Sequence, residues 1–307
     1  MRDALCDALL ARGRTTEMVF LTGDLGFMAL EPLRDLLGDR FINCGVAEQN
    51  MVGVAAGLAR GGFEVWVYSI ASFCVTRPFE QIRNDVAFHR LPVRFIGSGG
   101  GYGYGVMGPS HHALEDYGLL LTLPGMAVQI PITDSDVAAA VERIGQWSGG
   151  PSYLRLGRTE AAPSLPVPAY RPWRCLSLGC GPVVVACGSM VLPIVAACAE
   201  QSGAPQIWAL SELCGDRLEL PPALLDALAS GAALIVVEEH GAQGGLGAML
   251  ARELLLRGVA PRRFRHLHAC YHPGGRYGSQ AYHRRESGID PAAVAAVVAE
   301  EVTGDCN

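Results

Sequence analysis

Arg40 to Gly62 reads RFINCGVAEQNMVGVAAGLARGG, and the rest of the chain is interpreted outward from it. Phe41 and Ile42 form a short apolar strand, Gly45 opens a turn, and Ala47 begins a helix of almost wholly small or apolar residues. Gly53, Ala55, Ala56, Gly57 and Ala59 suit that helix to close backbone approach, so it is expected to be buried between layers. The lone carboxylate of the stretch is Glu48. In the first turn of a buried helix an acid is poorly solvated, and desolvation raises a carboxyl pKa. On these residues alone two readings stay open: a functional acid, or a favourable charge near a helix N-terminus.

Outward from this stretch, strands and helices alternate. An amphipathic helix over Arg2 to Arg12, a strand over Met18 to Thr22, a turn at Gly23-Asp24 and a helix over Glu31 to Leu37 precede it. After it come strand Phe63 to Ile70, helix Ser72 to Ala87, strand Val93 to Ile96 and a glycine-rich loop from Gly97 to Gly108. Helix His111 to Leu121, strand Met126 to Ile130, helix Ser135 to Trp147 and strand Ser152 to Leu156 complete the first half. Four prolines between Ala161 and Pro172 mark a linker. Beyond it are strands Val183 to Ala186, Gln206 to Leu210, Leu234 to Glu238 and Phe264 to Leu267. Helices Leu192 to Gln201, Pro222 to Ala229, Gly247 to Leu256 and Pro291 to Glu301 alternate with them. The pattern predicts an α/β protein of two doubly wound domains, residues 1–160 and 180–307, joined by a linker over 161–179.

Composition excludes several chemistries. All 24 basic residues are arginine, so no Schiff-base lysine or P-loop lysine is available in this chain. A net charge of −6 provides no basic surface for nucleic acid. No apolar run is long enough for a membrane span, and Met1 to Leu10 lacks the core of a signal peptide, so a cytoplasmic protein is expected. Ten cysteines without a C-x-x-C pair read as reduced, buried thiols.

Some motifs fail on inspection. Gly103, Gly105 and Gly108 fit G-x-G-x-x-G, yet Pro109 interrupts and no acid lies at the expected distance. Gly23-Asp24 followed by Asn50 mimics a diphosphate and magnesium signature, but Leu25 stands where a small residue is needed. His111 and His112 would point about 100° apart on a helix and share no face, and His240, His266, His268, His272 and His283 are dispersed, so no metal site is expected. One of the adjacent pair suits a hydrogen bond to substrate.

Several segments carry a family. FINCGVAEQNMVGVAAGLA, SFCVTRPFEQIRNDVAFHRLPV, SHHALEDYGLLLTLPGMAVQIP, YLRLGR and VVEEHGAQGGLG occur in order over nearly the whole chain. Together they resemble the C-terminal half of transketolase, in the form of the stand-alone small subunit of split transketolases. The resemblance implies a pyrimidine-binding domain followed by a transketolase C-terminal domain, and thiamine diphosphate as cofactor. It implies that Glu48 hydrogen-bonds ring nitrogen N1′ of the aminopyrimidine, favouring the tautomer that removes the thiazolium proton; this chemistry suits an acid in a dry pocket. Phe73 matches the aromatic stacked on the pyrimidine, Ile70 replaces a second aromatic as an apolar wall, and Asp24 matches an acid near the thiazolium. His111 matches the histidine that contacts the donor's hydroxyl, and Arg158 an arginine that holds the acceptor's phosphate.

Two positions depart from the family. Gly99 stands where a phosphate-contacting histidine is usual, and Met107 where an aspartate binds the acceptor's hydroxyl. The expectation is an acceptor less hydroxylated or more apolar than a pentose phosphate. The diphosphate and Mg2+ site is absent from these residues, which implies a separate partner subunit that holds the metal, with cofactor at the interface of a heterotetramer of two such pairs. The expected activity is transfer of a two-carbon ketol or acyl unit to a carbonyl acceptor. The alternatives are a decarboxylative carboligase fed by a 2-oxoacid, as in the deoxyxylulose-phosphate synthases, and a non-catalytic scaffold subunit.

Overall fold

The computed structural model describes residues 1–158, 165–201, 203–214, 218–271 and 275–303. Its strands, in chain order, are β1 (Met18–Thr22), β2 (Phe41–Asn43), β3 (Glu64–Ile70), β4 (Val93–Ser98), β5 (Ala127–Gln129), β6 (Ser152–Leu156), β7 (Trp173–Ser177), β8 (Val183–Cys187), β9 (Gln206–Leu210), β10 (Glu212–Cys214), β11 (Leu234–Glu238) and β12 (Phe264–His268). They form a seven-stranded sheet ordered β10-β5-β6-β4-β3-β1-β2 and a five-stranded sheet ordered β12-β11-β8-β9-β7. Both are parallel apart from the β10–β5 and β7–β9 pairs. Strands β1, β4 and β6 are buried along their whole length, as expected of central strands in a covered parallel sheet, and Arg94, Ser98, Ser152 and Arg155 are buried with them. The α/β class and two-sheet architecture are therefore as the alternation predicts.

Topology positions the site. The chain lays β2 on one side of β1 and β3 on the other. Connections leaving the carboxyl ends of β1 and its neighbours therefore diverge, and such a switch point opens a crevice. Helix α1 (Arg2–Gly13) and helix α2 (Glu31–Leu37) cover one face. Helix α3 (Glu48–Arg60) covers the other, burying Met51, Val52, Ala55, Ala56 and Ala59 at helical spacing.

Several local expectations change. Helix α3 is not enclosed between layers: Gly53, Val54 and Gly57 are exposed, and a Cβ added at either glycine would meet nothing. The helix expected over Ser72 to Ala87 is broken. Helix α4 (Ala71–Val75) ends ahead of Pro78, and a short turn and a π-helical segment over Ile82–Ala87 follow. His111 to Ala113 is not helical, because Gly101 and Ala113 exchange backbone hydrogen bonds as an antiparallel bridge; the helix there is Asp116–Leu120.

The stretch read as a linker, 161–179, contains β7, an antiparallel edge strand of the second sheet. Strand β10 lies beyond β9 in sequence yet pairs with β5 of the first sheet, and one apolar cluster runs from Val19 and Val67 to Val185 and Leu250 across both sheets. A helix over Gln280–Glu286, not foreseen, is capped by Ser279 Oγ. Cys74 and Cys187 are sealed, and burial pushes both thiols up to about 12. Cys180 and Cys270, by contrast, are exposed. His272 lies outside the described residues. Among the described residues no helix is long and apolar enough to cross a membrane.

Candidate active site

The candidate residues lie on turns at the carboxyl ends of parallel strands. Asp24 follows β1, Glu48 follows β2, Ile70 ends β3 with Phe73 in α4 beyond it, Gly99, Met107 and His111 follow β4, and Arg158 follows β6. Glu48 is 3% exposed although Val46, Ala47, Gln49 and Asn50 around it are open to solvent. Its Oε1 accepts from Ser69 Oγ at 3.0 Å and its Oε2 from Arg77 Nη1 at 3.0 Å. Together with Arg77 and those four neighbours it lines a cavity of about 340 Å³. Gly23 leaves room beside the carboxylate; a Cβ there would lie 3.5 Å from Glu48 Oε1.

Asn43 fastens the turns on either side of Glu48. Its Oδ1 accepts from the backbone N–H groups of Asp24 at 3.1 Å and Gly45 at 3.0 Å, and its Nδ2 donates to Asp24 Oδ1 at 2.9 Å. Asp24 is held at φ 59°, in the left-handed region unusual for a residue other than glycine. Such backbone is tolerated where the surroundings over-determine it.

An aromatic group completes the mouth of the site. Arg77 sets its guanidinium carbon 3.7 Å from the Phe73 ring centroid. The His111 ring meets Phe73 edge-on with centroids 4.9 Å apart, and Nδ1 lies 3.0 Å from Ser110 Oγ. Partial burial, and next the charge of Arg77, hold His111 below the usual imidazole pKa, so it rests neutral near pH 7. His112 departs to a different environment. It is buried against Tyr102 and His283, in the contact between the glycine loop and the second sheet's helices.

Ile70 is buried at 8% exposure, and Met107 is exposed on a 3₁₀ turn. Gly99, at φ 73°, lies under Tyr104: a Cβ there would come within 2.3 Å of the ring, whose hydroxyl reaches Ser98 Oγ at 3.3 Å. A larger side chain at position 99 would therefore have to displace Tyr104. Arg158 is exposed beyond β6, outside the contacts that join Glu48, Arg77, Phe73 and His111.

Sequence reasoning missed Ser69, Asn43, Tyr104 and Arg77. For Arg77 a signal existed: it follows Phe73 by four residues, the spacing that places two side chains on one helical face. Among the described residues no group of three or more His, Cys, Asp or Glu is arranged to hold a metal ion.

Comparison with known proteins points in one direction. Residues 2–163 match the transketolase pyrimidine-binding domain. Over 265 residues the chain is 31% identical to a subunit of the apulose-4-phosphate transketolase of Phocaeicola vulgatus, covering 82% of this chain and 83% of that one. It is 29% identical over 230 residues to 1-deoxy-D-xylulose-5-phosphate synthase 1 of Kitasatospora griseola, covering 74% of this chain and 35% of that protein. A split-gene transketolase, solved as an inactive beta4 tetramer, is similar in structure with a TM-score of 0.79 and 27% identity, covering 98% of this chain and 97% of that one.

Proposed function

The chain belongs to the transketolase family, whose members depend on thiamine diphosphate, and from that premise we propose that it is the small subunit of a split carboligase of this kind. One observation carries the reading: the Glu48 carboxylate is buried at the switch point of the sheet yet opens onto a cavity, and the Arg77 that pairs with it also lies over the Phe73 ring. The donor set fits the cofactor's aminopyrimidine, because an acid and an aromatic face are what a planar, weakly basic heterocycle needs. When bound, thiamine diphosphate supplies the carbon that attacks a donor carbonyl and carries a two-carbon ketol or acyl unit to a carbonyl acceptor.

This chain's residues do the rest. Glu48, steadied by Ser69, would share a proton at N1′; Phe73 and Ile70 would bound the ring; Asp24 would lie near the thiazolium. His111, neutral at rest, accepts a hydrogen bond from the donor's hydroxyl, and Arg158 holds an anionic group of the acceptor. With Gly99 covered by Tyr104 and Met107 exposed, the acceptor side offers fewer polar contacts than a pentose phosphate needs. Comparing turnover of ribose 5-phosphate with that of apolar aldehydes tests this, and fast turnover of the sugar phosphate would remove it.

The site is half a site. The open face of α3 at Gly53 and Gly57, continuous with Val46, Gln49 and Asn50, suits close approach of a second subunit carrying the diphosphate and Mg2+, in a heterotetramer of two such pairs. That a split-gene relative is described as inactive when assembled from one subunit type supports this. The purified chain with added cofactor and Mg2+ should turn over nothing, and adding the partner should restore activity; turnover by the chain alone would contradict the proposal. A second reading, decarboxylative ligation from a 2-oxoacid, draws support from the similarity to a deoxyxylulose-phosphate synthase, and carbon dioxide release from the donor separates the two. Unchanged activity of Glu48→Gln in the complex would leave a scaffold subunit.

A further inference from the structure

The two groups assigned above to a planar heterocycle are already engaged by one side chain. Arg77 donates to Glu48 Oε2 at 3.0 Å and lies with its guanidinium carbon 3.7 Å from the Phe73 centroid. A guanidinium is flat, carries N–H donors around its edge and stacks on aromatic faces. It therefore makes, in one place, an edge hydrogen bond to the acid and a face contact with the ring. A second flat group cannot make the same two contacts while Arg77 remains, since 3.7 Å is already van der Waals contact. Resting on the function proposed above, we propose that Arg77 is a built-in stand-in for the cofactor's pyrimidine, keeping Glu48 paired and Phe73 covered until the cofactor takes its place.

The local chain is suited to an exchange. Phe73 lies in α4, which ends at Val75, and Arg77 follows in the turn before Pro78, carrying a long side chain with many rotamers. The Arg77 side chain is 43% exposed. It can swing into water without becoming a buried, unpaired cation. Glu48 cannot follow it: a carboxylate 3% exposed that lost its partner would bear a desolvation penalty unless a new donor arrived. Departure of Arg77 and arrival of a ring donor are therefore coupled, while Ser69 holds Oε1 throughout. The position of Arg77 also has a local reporter. His111 packs against the same Phe73, and the Arg77 charge helps hold its pKa down.

Two measurements test the exchange. In the cofactor-free chain, NMR titration of the His111 ring should show its pKa rising in Arg77→Gln; an unchanged value would mean that Arg77 does not sit over Phe73, and would overturn the proposal. In the complex with the partner subunit, calorimetric titration with thiamine diphosphate and Mg2+ should show Arg77→Gln binding roughly threefold to tenfold more tightly, because a fractionally occupied seat weakens apparent affinity by that fraction. Equal or weaker binding by the variant overturns the exchange alone. A wild-type complex that binds no thiamine diphosphate removes the proposed function itself, and the exchange with it.

Discussion

The Glu48–Arg77 and Asp116–Arg155 pairs each set a guanidinium on a buried carboxylate, and they differ in where the cation can go. Asp116 is fully buried and accepts from Arg155 Nε and from Tyr153 Oη, both at 2.8 Å, while Arg155 Nη2 also donates to the carbonyls of Ala113 and Glu239. Those bonds tie the first sheet to the loop before Asp116 and to the end of β11. Arg77 is bound to Glu48 by one hydrogen bond and is nearly half exposed. The chemistry of the two pairs is the same, but their access to water is not. A sealed pair is architecture, whereas a pair open on the cation's side can exchange one partner for another.

The contrast is sharpest in stability. Arg155→Met leaves Asp116 charged and sealed, and should destabilise the chain by about 3–5 kcal/mol in denaturant melts. On the sealed face of α3, Ala55→Leu overpacks a well-filled core against β3 and should cost roughly 1–3 kcal/mol. Arg77→Gln should cost about 1–3 kcal/mol, less than the sealed pair, because Glu48 loses its charged partner but keeps Ser69 and faces the cavity. A loss at Arg77 as large as that at Arg155 would break the distinction and make the Glu48 pair structural.

How much of this was legible in the sequence follows the same division. Strands such as Glu64–Ile70 and Val183–Cys187 are largely apolar runs whose local preference and burial agree, so they were readable. Glu48 stood out because it is the lone carboxylate in a helix that otherwise contributes apolar bulk. What escaped depends on partners distant in sequence. Strand β7 sits behind Pro168 and Pro172, and its place is decided by antiparallel pairing with β9. The helix Gln280–Glu286 buries Gln280, His283 and Arg284, so it has no apolar stripe to betray it. The bridge between Gly101 and Ala113 overrides the helical pattern after His111 and sends the two histidines apart. Arg77 reaches across 29 residues to Glu48, a contact that no periodicity encodes.

The open face supplies smaller effects. Gly57→Ala places a methyl group where nothing lies within 4 Å and improves helix propensity, so the isolated chain should gain about 0.5–1 kcal/mol. Gly57→Leu should fold equally well alone yet lose assembly with the partner, as sedimentation would report. The smallest expected effect is with pH. The His240 Nε2 accepts from Gly118 N–H at 3.2 Å, and burial pushes its pKa below the usual imidazole value. The unfolded chain takes up a proton near pH 6.5 that the folded chain refuses until lower pH. Stability should therefore fall as pH drops below about 6.5, and His240→Gln should flatten that slope; an unchanged slope would mean that other groups carry it.

The central claim is that Glu48 shares a proton with the cofactor's ring, and deuterium exchange at the thiazolium C2 of thiamine diphosphate, followed by NMR in the assembled complex, tests it directly. Exchange should be fast with Glu48 and slower by roughly 10²–10⁴ in Glu48→Gln, the span of a lost general acid–base contact. Equal exchange rates in the two proteins would contradict the assignment.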